Sequence, residues 1–127
     1  MKFEIIDCDA VCPGVRVDES AKMLQLNHLY IVPGLEAEFE RTFAIAAELL
    51  MLAEGYEAHS LRRCVESPAH YLLLVQWRRV EDHTVIFRVS PEHGTWKGLL
   101  DRFYVERPQS MHFERVSTFE AIRLHTS

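Results

Sequence analysis

The stretch HYLLLVQWRR, residues 70–79, is largely apolar as far as Trp77. Its alternate positions form two mostly apolar sets, Tyr71, Leu73, Val75 and Trp77 on one side and Leu72, Leu74 and Gln76 on the other. A period of two is typical of a β-strand, and a strand that is apolar on both faces is expected to be covered on both. Residues 22–32 have the same pattern and end at Pro33-Gly34, so they predict a second core strand.

Further elements flank these two strands. Apolar residues at steps of three and four predict a helix over residues 35–54, with Gly55 expected as the C′ residue that ends it. Residues 56–66 are expected to form a more polar strand. Residues 109–116 predict a last core strand, and residues 119–124 a further edge strand.

The second helical region is expected in two parts. Glu81 and Asp82 open a short piece, on which His83, Ile86 and Phe87 share a face. The sequence SPE at residues 90–92 predicts a new helix, because Ser caps the start, Pro fits the first turn and an acid favours the helix N-terminus.

The element order is therefore β-α-β-β-α-β, which indicates an α+β, ferredoxin-like split βαβ fold with an antiparallel sheet. The helices of this fold cover one face of the sheet. The other face is also apolar here, and a chain of 127 residues has no spare element to cover it. We therefore expect a homodimer in which two sheets pack against each other, as in a dimeric α/β barrel.

The length indicates one domain. Residues 1–21 are the least regular part of the chain and are broken by Pro13-Gly14. They are expected to be an N-terminal arm, and residues 22–127 the folded domain.

Composition excludes several classes of protein. With 14 Lys and Arg against 19 Asp and Glu the net charge is −5, which argues against nucleic acid and anionic membranes as partners. No apolar run approaches the ~20 residues of a membrane span, and the first residues do not resemble a secretory signal. Because Cys8, Cys12 and Cys64 cannot all pair, reduced thiols and a cytoplasmic location are expected.

Motifs for common cofactors are missing from the sequence. The five glycines lie too far apart for a dinucleotide or phosphate loop, and the seven histidines lack the spacing of metal ligands. We therefore expect neither a cofactor nor a metal.

Several short motifs follow one another in a fixed order between residues 22 and 116. They are VPGLE at 32–36, EGY at 54–56, YLLLVQW at 71–77, EDH at 81–83, FR at 87–88, SP at 90–91, Trp96, and HFE at 112–114. In this order and spacing they resemble the antibiotic biosynthesis monooxygenase (ABM) family. The resemblance implies a dimeric α/β barrel with a pocket between the sheet and the helices of each subunit.

The family contains branches with different chemistry. The branch of cofactor-independent monooxygenases, which act on reduced polycyclic aromatics, has a Trp at the end of the third strand, and Trp77 matches it. At that branch's Asn, Tyr and Arg positions this chain has Leu73, His83 and Lys97. One position of four is retained, so the substrate of that branch is not implied.

The heme-degrading branch has an Asn in the first strand, which Asn27 matches. Its axial His falls near Leu99 or Leu100, and His93 comes more than a turn too early. Heme degradation is therefore disfavoured.

These comparisons lead to a functional hypothesis: a cofactor-independent monooxygenase acting on a small aromatic or quinone-type substrate. Asn27 and Trp77 would stabilise an enolate or phenolate and His83 would act as base. The substrate would stack on Phe87, Trp96 and Phe103. Each residue also has a structural alternative: Trp77 and the stacking residues in the core, Asn27 bonded to backbone, and His83 solvated at the surface.

Two alternative functions stay open at this point. A dimeric barrel of this kind can bind an apolar metabolite without turnover. It can also act as a cofactor-free isomerase or cyclase, which would use the same donors and base without O₂.

Overall fold

The computed structural model of the protein describes residues 23–117. Its strands are β1 (Met23–Tyr30), β2 (Tyr56–Arg63), β3 (His70–Trp77) and β4 (Ser110–Glu114). Its helices are α1 (Glu36–Met51), a π-helix (Asp82–Phe87), α2 (Pro91–Leu100) and a short 3₁₀ turn (Asp101–Phe103). The arm at 1–21 and the edge strand at 119–124 lie outside the described residues.

The four strands form one antiparallel sheet in the order β2-β3-β1-β4. The two strands with apolar residues on both faces, β1 and β3, are therefore the central pair. This topology confirms the ferredoxin-like α+β fold.

One face of the sheet packs against the helices and forms the core. Every second residue of β3 is buried on this helix-facing side, and the apolar stripe of α1 covers it. At its centre the Phe39 ring packs edge-to-face with Tyr71 and Phe103, at centroid distances of 5.0 and 5.7 Å. The other buried apolar residues are Leu29, Ile31, Phe43, Ala46, Ala47, Leu50, Leu73, Val75, Trp77, Phe87 and Leu100.

The opposite face, here called the open face, carries the other set of apolar side chains. By strand register it is lined by Leu24, Leu26, Leu72, Leu74, Met111 and Phe113. Met111 and Phe113 are 49% and 47% exposed, and the four leucines are partly exposed. Both faces of the sheet are thus apolar, as the sequence pattern predicts. The helices in the described part of the chain cover only one of them.

The turn after α1 differs from the expectation. The helix ends at Met51 and its C-cap is Leu52, so Gly55 is not the C′ residue. Gly55 instead lies in the turn that leads into β2, with a φ of +84°. Its neighbour in space is Asp82 at the start of the π-helix.

Asp82 is fully buried and joins the start of the π-helix to the end of β3. Its carboxylate accepts hydrogen bonds from the Arg79 backbone N–H at 3.1 Å and from the Arg78 and Arg79 side chains at 3.2 and 3.0 Å. Burial alone would raise the pKa of Asp82, but the hydrogen bonds and charges of Arg79 and Arg78 outweigh it and lower the pKa. The ionised carboxylate therefore fixes where the π-helix begins. Within residues 23–117, no helix is long and apolar enough to cross a membrane.

Candidate functional site

Two amide side chains interrupt the apolar, helix-facing side of β1. Gln25 and Asn27 precede Leu29 and Ile31 on this face, and they are only 6% and 7% exposed. A buried amide costs free energy unless its donors and acceptors are paired. The partners of these two residues define the site.

A chain of side-chain hydrogen bonds, here called the polar chain, crosses three strands. Trp77 Nε1 on β3 donates to Gln25 Oε1 at 2.8 Å, and Gln25 Nε2 donates to Asn27 Oδ1 at 2.5 Å. Asn27 Nδ2 in turn donates to Ser110 Oγ on β4 at 2.9 Å. Register places Asn27 opposite Ser110 and Gln25 opposite His112, so these groups share the helix-facing side.

A histidine pair lies beside the polar chain. His83 Nδ1 on the π-helix is 2.8 Å from His112 Nε2 on β4, so one ring donates a hydrogen bond and the other accepts it. The His83 ring also stacks on Trp77, with centroids 5.4 Å apart and planes 25° from parallel. The pair and the polar chain therefore meet at Trp77.

The π-helix turns both of its ring residues inward. His83 is 5% exposed and Phe87 is 4% exposed. The Phe87 ring contacts Trp77, His93 and Trp96, with centroids 5.8, 5.2 and 6.4 Å apart. Rings from the second helical region thus form an aromatic wall that packs on Trp77.

Burial controls the protonation of these histidines. Desolvation lowers the pKa of His83 to about 3, and the positive charges that His112, Arg88 and His93 carry when protonated act in the same direction. Burial and Arg88 also lower the pKa of His112, and burial, Arg88 and Lys97 that of His93. At neutral pH the rings are uncharged, and each has one nitrogen that accepts a proton.

A second, smaller polar contact lies at the β2 side of the same wall. Tyr56 Oη and His59 Nδ1 are 2.7 Å apart, and the Tyr56 ring meets Trp77 edge-on at 6.4 Å. Burial raises the pKa of Tyr56 and lowers that of His59. Both groups are therefore neutral at physiological pH.

The structure brings five of the six predicted site residues together: Asn27, Trp77, His83, Phe87 and Trp96. Phe103 packs instead on Phe39, and its carbonyl accepts a hydrogen bond from Val32 N at 2.8 Å. Val32 follows Gln25 by seven residues, most of them in β1, which is roughly 20 Å along the sheet. Phe103 therefore belongs to the far end of the core.

His83 is buried in a hydrogen-bonded pair, so the alternative of a solvated surface histidine is wrong. Leu73 and Lys97 stand at the Asn and Arg positions of the cofactor-independent branch. Leu73 is an ordinary buried core residue, and Lys97 Nζ forms an ion pair with Asp101 Oδ2 at 2.8 Å.

Sequence reasoning missed Gln25, Ser110 and His112. Gln25 has the same strand parity as Asn27, which is a signal that could have identified it. Ser110 and His112 depend on the register of β4, which periodicity does not determine.

The arrangement offers amide donors, a neutral histidine acceptor and aromatic surfaces in a nearly water-free environment. Such a setting stabilises a flat anion, because hydrogen bonds to charge are stronger where the dielectric constant is low. In the described part of the chain, no three His, Cys, Asp or Glu side chains are grouped so that they could hold a metal ion.

Comparisons with known proteins agree with this architecture. The sequence model of the family described as "Antibiotic biosynthesis monooxygenase" matches residues 23–99. The uncharacterised protein YczJ of Bacillus subtilis strain 168 is 49% identical over 88 residues, which are 69% of this chain and 93% of YczJ.

Solved structures show the same fold. An antibiotic biosynthesis monooxygenase family protein from Bordetella bronchiseptica is 36% identical, with a TM-score of 0.71 over 76% of this chain and 99% of its own. SnoaB, a cofactor-independent oxygenase from Streptomyces nogalater, is 19% identical, with a TM-score of 0.69 over 80% of this chain and 99% of its own. From the family match, the identity to YczJ and the shared fold, we conclude that the chain belongs to the antibiotic biosynthesis monooxygenase family.

Proposed function

We propose that the protein is a cofactor-independent monooxygenase that acts on a small aromatic substrate of the anthrone or hydroquinone type. Membership of the family and the fold shared with the cofactor-independent oxygenase SnoaB support this proposal. The observation that carries it is the polar chain together with the histidine pair, buried among aromatic rings.

Without a cofactor, the substrate itself must supply the electrons that reduce O₂. An anthrone-type CH₂ group and one O₂ become a C=O group and one H₂O, so that one oxygen atom enters the product and the other leaves as water. The electron donor is the deprotonated substrate. The protein therefore has to remove a proton and stabilise the resulting enolate or phenolate.

The hydrogen bonds refine the roles of the amides and of Trp77. The single N–H of Trp77 is already donated to Gln25, so Trp77 supplies an aromatic surface and holds Gln25 in place. Asn27 Nδ2 has a second hydrogen besides the one it donates to Ser110. We assign the stabilisation of the substrate anion to the Asn27 amide, with Gln25 fixing its orientation.

We assign the role of base to His83. Burial keeps this ring uncharged at neutral pH, so it is ready to accept a proton. A substrate anion formed beside the ring would raise the pKa of His83, because opposite charges favour each other in a low dielectric. Stacking on Trp77 holds the ring in a fixed orientation for this transfer.

The test is O₂ uptake by the purified protein, without added flavin, metal or nicotinamide, on a panel of anthrone-type and hydroquinone-type aromatics. We expect uptake by the wild type and a loss of about a hundredfold in His83→Phe and Asn27→Ala. Val85→Ala is the matched control, because Val85 lies on the same π-helix but is 54% exposed.

Uptake that survives equally in all variants would contradict the assignment of the site. No uptake with any member of the panel would contradict the monooxygenase. It would favour the binding module or the cofactor-free isomerase, which equilibrium binding and product analysis then distinguish.

We further propose that the protein is a homodimer formed through the open face. Leu24, Leu26, Leu72, Leu74, Met111 and Phe113 make an apolar patch on this face that stays partly exposed in one chain. A contiguous apolar surface of this kind is typical of a protein–protein interface. A second copy of the same sheet matches it, because a two-fold axis places the same patch on both partners.

A further inference from the structure

We propose that His112 is a proton-relay residue, which takes a proton from His83 when His83 accepts the substrate proton and returns it later in the reaction. This inference rests on the proposed function, since it concerns how His83, the base assigned there, passes on a proton. His112 would act through His83, so it is a positioning and relay residue.

The geometry supports a transfer in one step. His83 Nδ1 and His112 Nε2 are 2.8 Å apart, a distance at which a proton is shared along one hydrogen bond. The two ring centroids are 5.0 Å apart, and both rings are held by rigid elements, the π-helix and β4. No water is needed to join them.

Burial differs between the two rings in the direction that a relay requires. His83 is almost fully buried. His112 is half-buried and lies on β4, an edge strand of the four-stranded sheet in the described part of the chain. A positive charge costs less free energy on the ring that is nearer to water. The proton is therefore better held on His112 than on His83.

The relay conserves protons. In the starting state His83 carries its hydrogen on Nδ1 and donates it to His112 Nε2. When His83 Nε2 takes the substrate proton, the Nδ1 hydrogen moves to His112 Nε2, and His112 becomes an imidazolium. When the oxygen that leaves as water needs a proton, both transfers run backwards, and the pair returns to its first tautomers.

The charged groups that face the pair favour the return. Arg88, at the end of the π-helix, and His93, on α2, are the groups whose charges act on His83, and Arg88 also acts on His112. All of these charges are positive when protonated, so they disfavour a lasting imidazolium. The pair stores a proton only while an anion is present beside it.

The first experiment measures kcat and KM of His112→Gln with the anthrone dithranol as the probe. Gln keeps a hydrogen-bonding group near the position of Nε2 but cannot accept a proton. We expect kcat to fall about tenfold or more with little change in KM, and added imidazole to restore part of it. A purely structural His112 would be replaced by Gln without loss of kcat, and that result would overturn the relay.

His70→Gln is the matched control. His28 Nδ1 and His70 Nε2 form a similar pair at 2.9 Å, but on the open face of the sheet. This variant therefore tests the loss of a paired histidine away from the site. We expect it to keep the kcat and the oligomeric state of the wild type; light scattering checks the latter, because the pair lies on the proposed dimer face.

The second experiment needs no turnover, so it separates a failure of the relay from a failure of the proposed function. Long-range nitrogen–proton NMR spectra report the tautomer and the titration of each histidine. We expect a neutral His83 that carries its hydrogen on Nδ1, and a change in its titration in His112→Gln. A His83 hydrogen on Nε2, or titrations of His83 and His112 that are independent of each other, would overturn the relay even if dithranol is oxidised.

Discussion

Gly55 leaves space for the buried carboxylate of Asp82. A Cβ atom at position 55 would lie 2.1 Å from Asp82 Oδ2, far inside van der Waals contact. The Gly55 carbonyl also accepts a hydrogen bond from Arg78 N at 2.8 Å, which joins this turn to the end of β3. One glycine thus connects the turn after α1 to the start of the π-helix that carries His83.

We predict that Gly55→Ala destabilises the fold by about 3 kcal/mol, because it adds backbone strain at a φ of +84° to a clash with Asp82. Urea unfolding measures the free energy. Gly34→Ala is the control, since Gly34 also has a positive φ but open space around its Cβ position. Equal losses in the two variants would show that the contact with Asp82 is unimportant.

The hydrogen bond between Trp77 and Gln25 lends itself to a double-mutant cycle. Trp77→Phe leaves the buried Gln25 Oε1 without its donor, and we expect a loss of about 1–3 kcal/mol in unfolding free energy. Gln25→Met leaves the indole N–H unpaired. The double variant is expected to lose less than the sum of the single losses, by about 1 kcal/mol. Simple additivity would mean that the two residues do not interact.

Stability is predicted to fall on acidification because His83 is neutral in the folded protein. The pKa of His83 is about 3 in the folded protein and 6.5 without burial. Between these two pH values the unfolded chain therefore binds more protons than the folded protein. The part of the unfolding free energy that depends on a neutral His83 is complete above about pH 6.5. It is lost as the pH falls, by at most about 1.4 kcal/mol per pH unit.

The measurement is thermal or urea unfolding of the wild type and His83→Phe at about pH 8 and about pH 5. Phe keeps a ring against Trp77 but does not titrate, so we expect a smaller loss on acidification than in the wild type. The difference at the higher pH reports the change in packing together with the lost hydrogen bond to His112. Parallel pH curves for both proteins would contradict a buried neutral His83.

The proposed homodimer is tested at its exposed residues. Met111→Lys and Phe113→Lys place charges on the open face at positions that are about half exposed in one chain, so each folded chain is expected to tolerate them. We expect light scattering to report dimers for the wild type and monomers for the double variant. Val89→Lys, at a position 78% exposed beyond the π-helix, is the control. A wild type that is monomeric would exclude the dimer.

The order of elements and the two central strands could be predicted from the sequence, because hydrophobic period depends on local geometry alone. The predicted helix at 35–54 extends beyond the observed Glu36–Met51 for the same reason, since apolar residues such as Ala53 continue the stripe after the helix ends. The π-helix was expected only as a short helical piece. Its start depends on the Asp82 contacts with Arg78 and Arg79 and on the space left by Gly55.

The site could be predicted only in part. Asn27 and Trp77 lie on strands whose parity shows which way they face. His83 follows two acidic residues, a pattern typical of a surface, and is buried by a contact with His112 that lies 29 positions further along the chain. Long-range contacts of this kind follow from tertiary packing, which local sequence does not encode.

The polar chain also has a direction. An indole can only donate, so Trp77 requires Gln25 to present its oxygen and leaves the amide nitrogen facing Asn27. The same constraint then passes to Asn27, whose nitrogen faces Ser110. Of the four combinations of amide orientation that two such side chains allow, a single indole selects one. An acceptor at position 77 would allow the whole row to reverse and would present an oxygen where the proposed substrate anion needs a hydrogen.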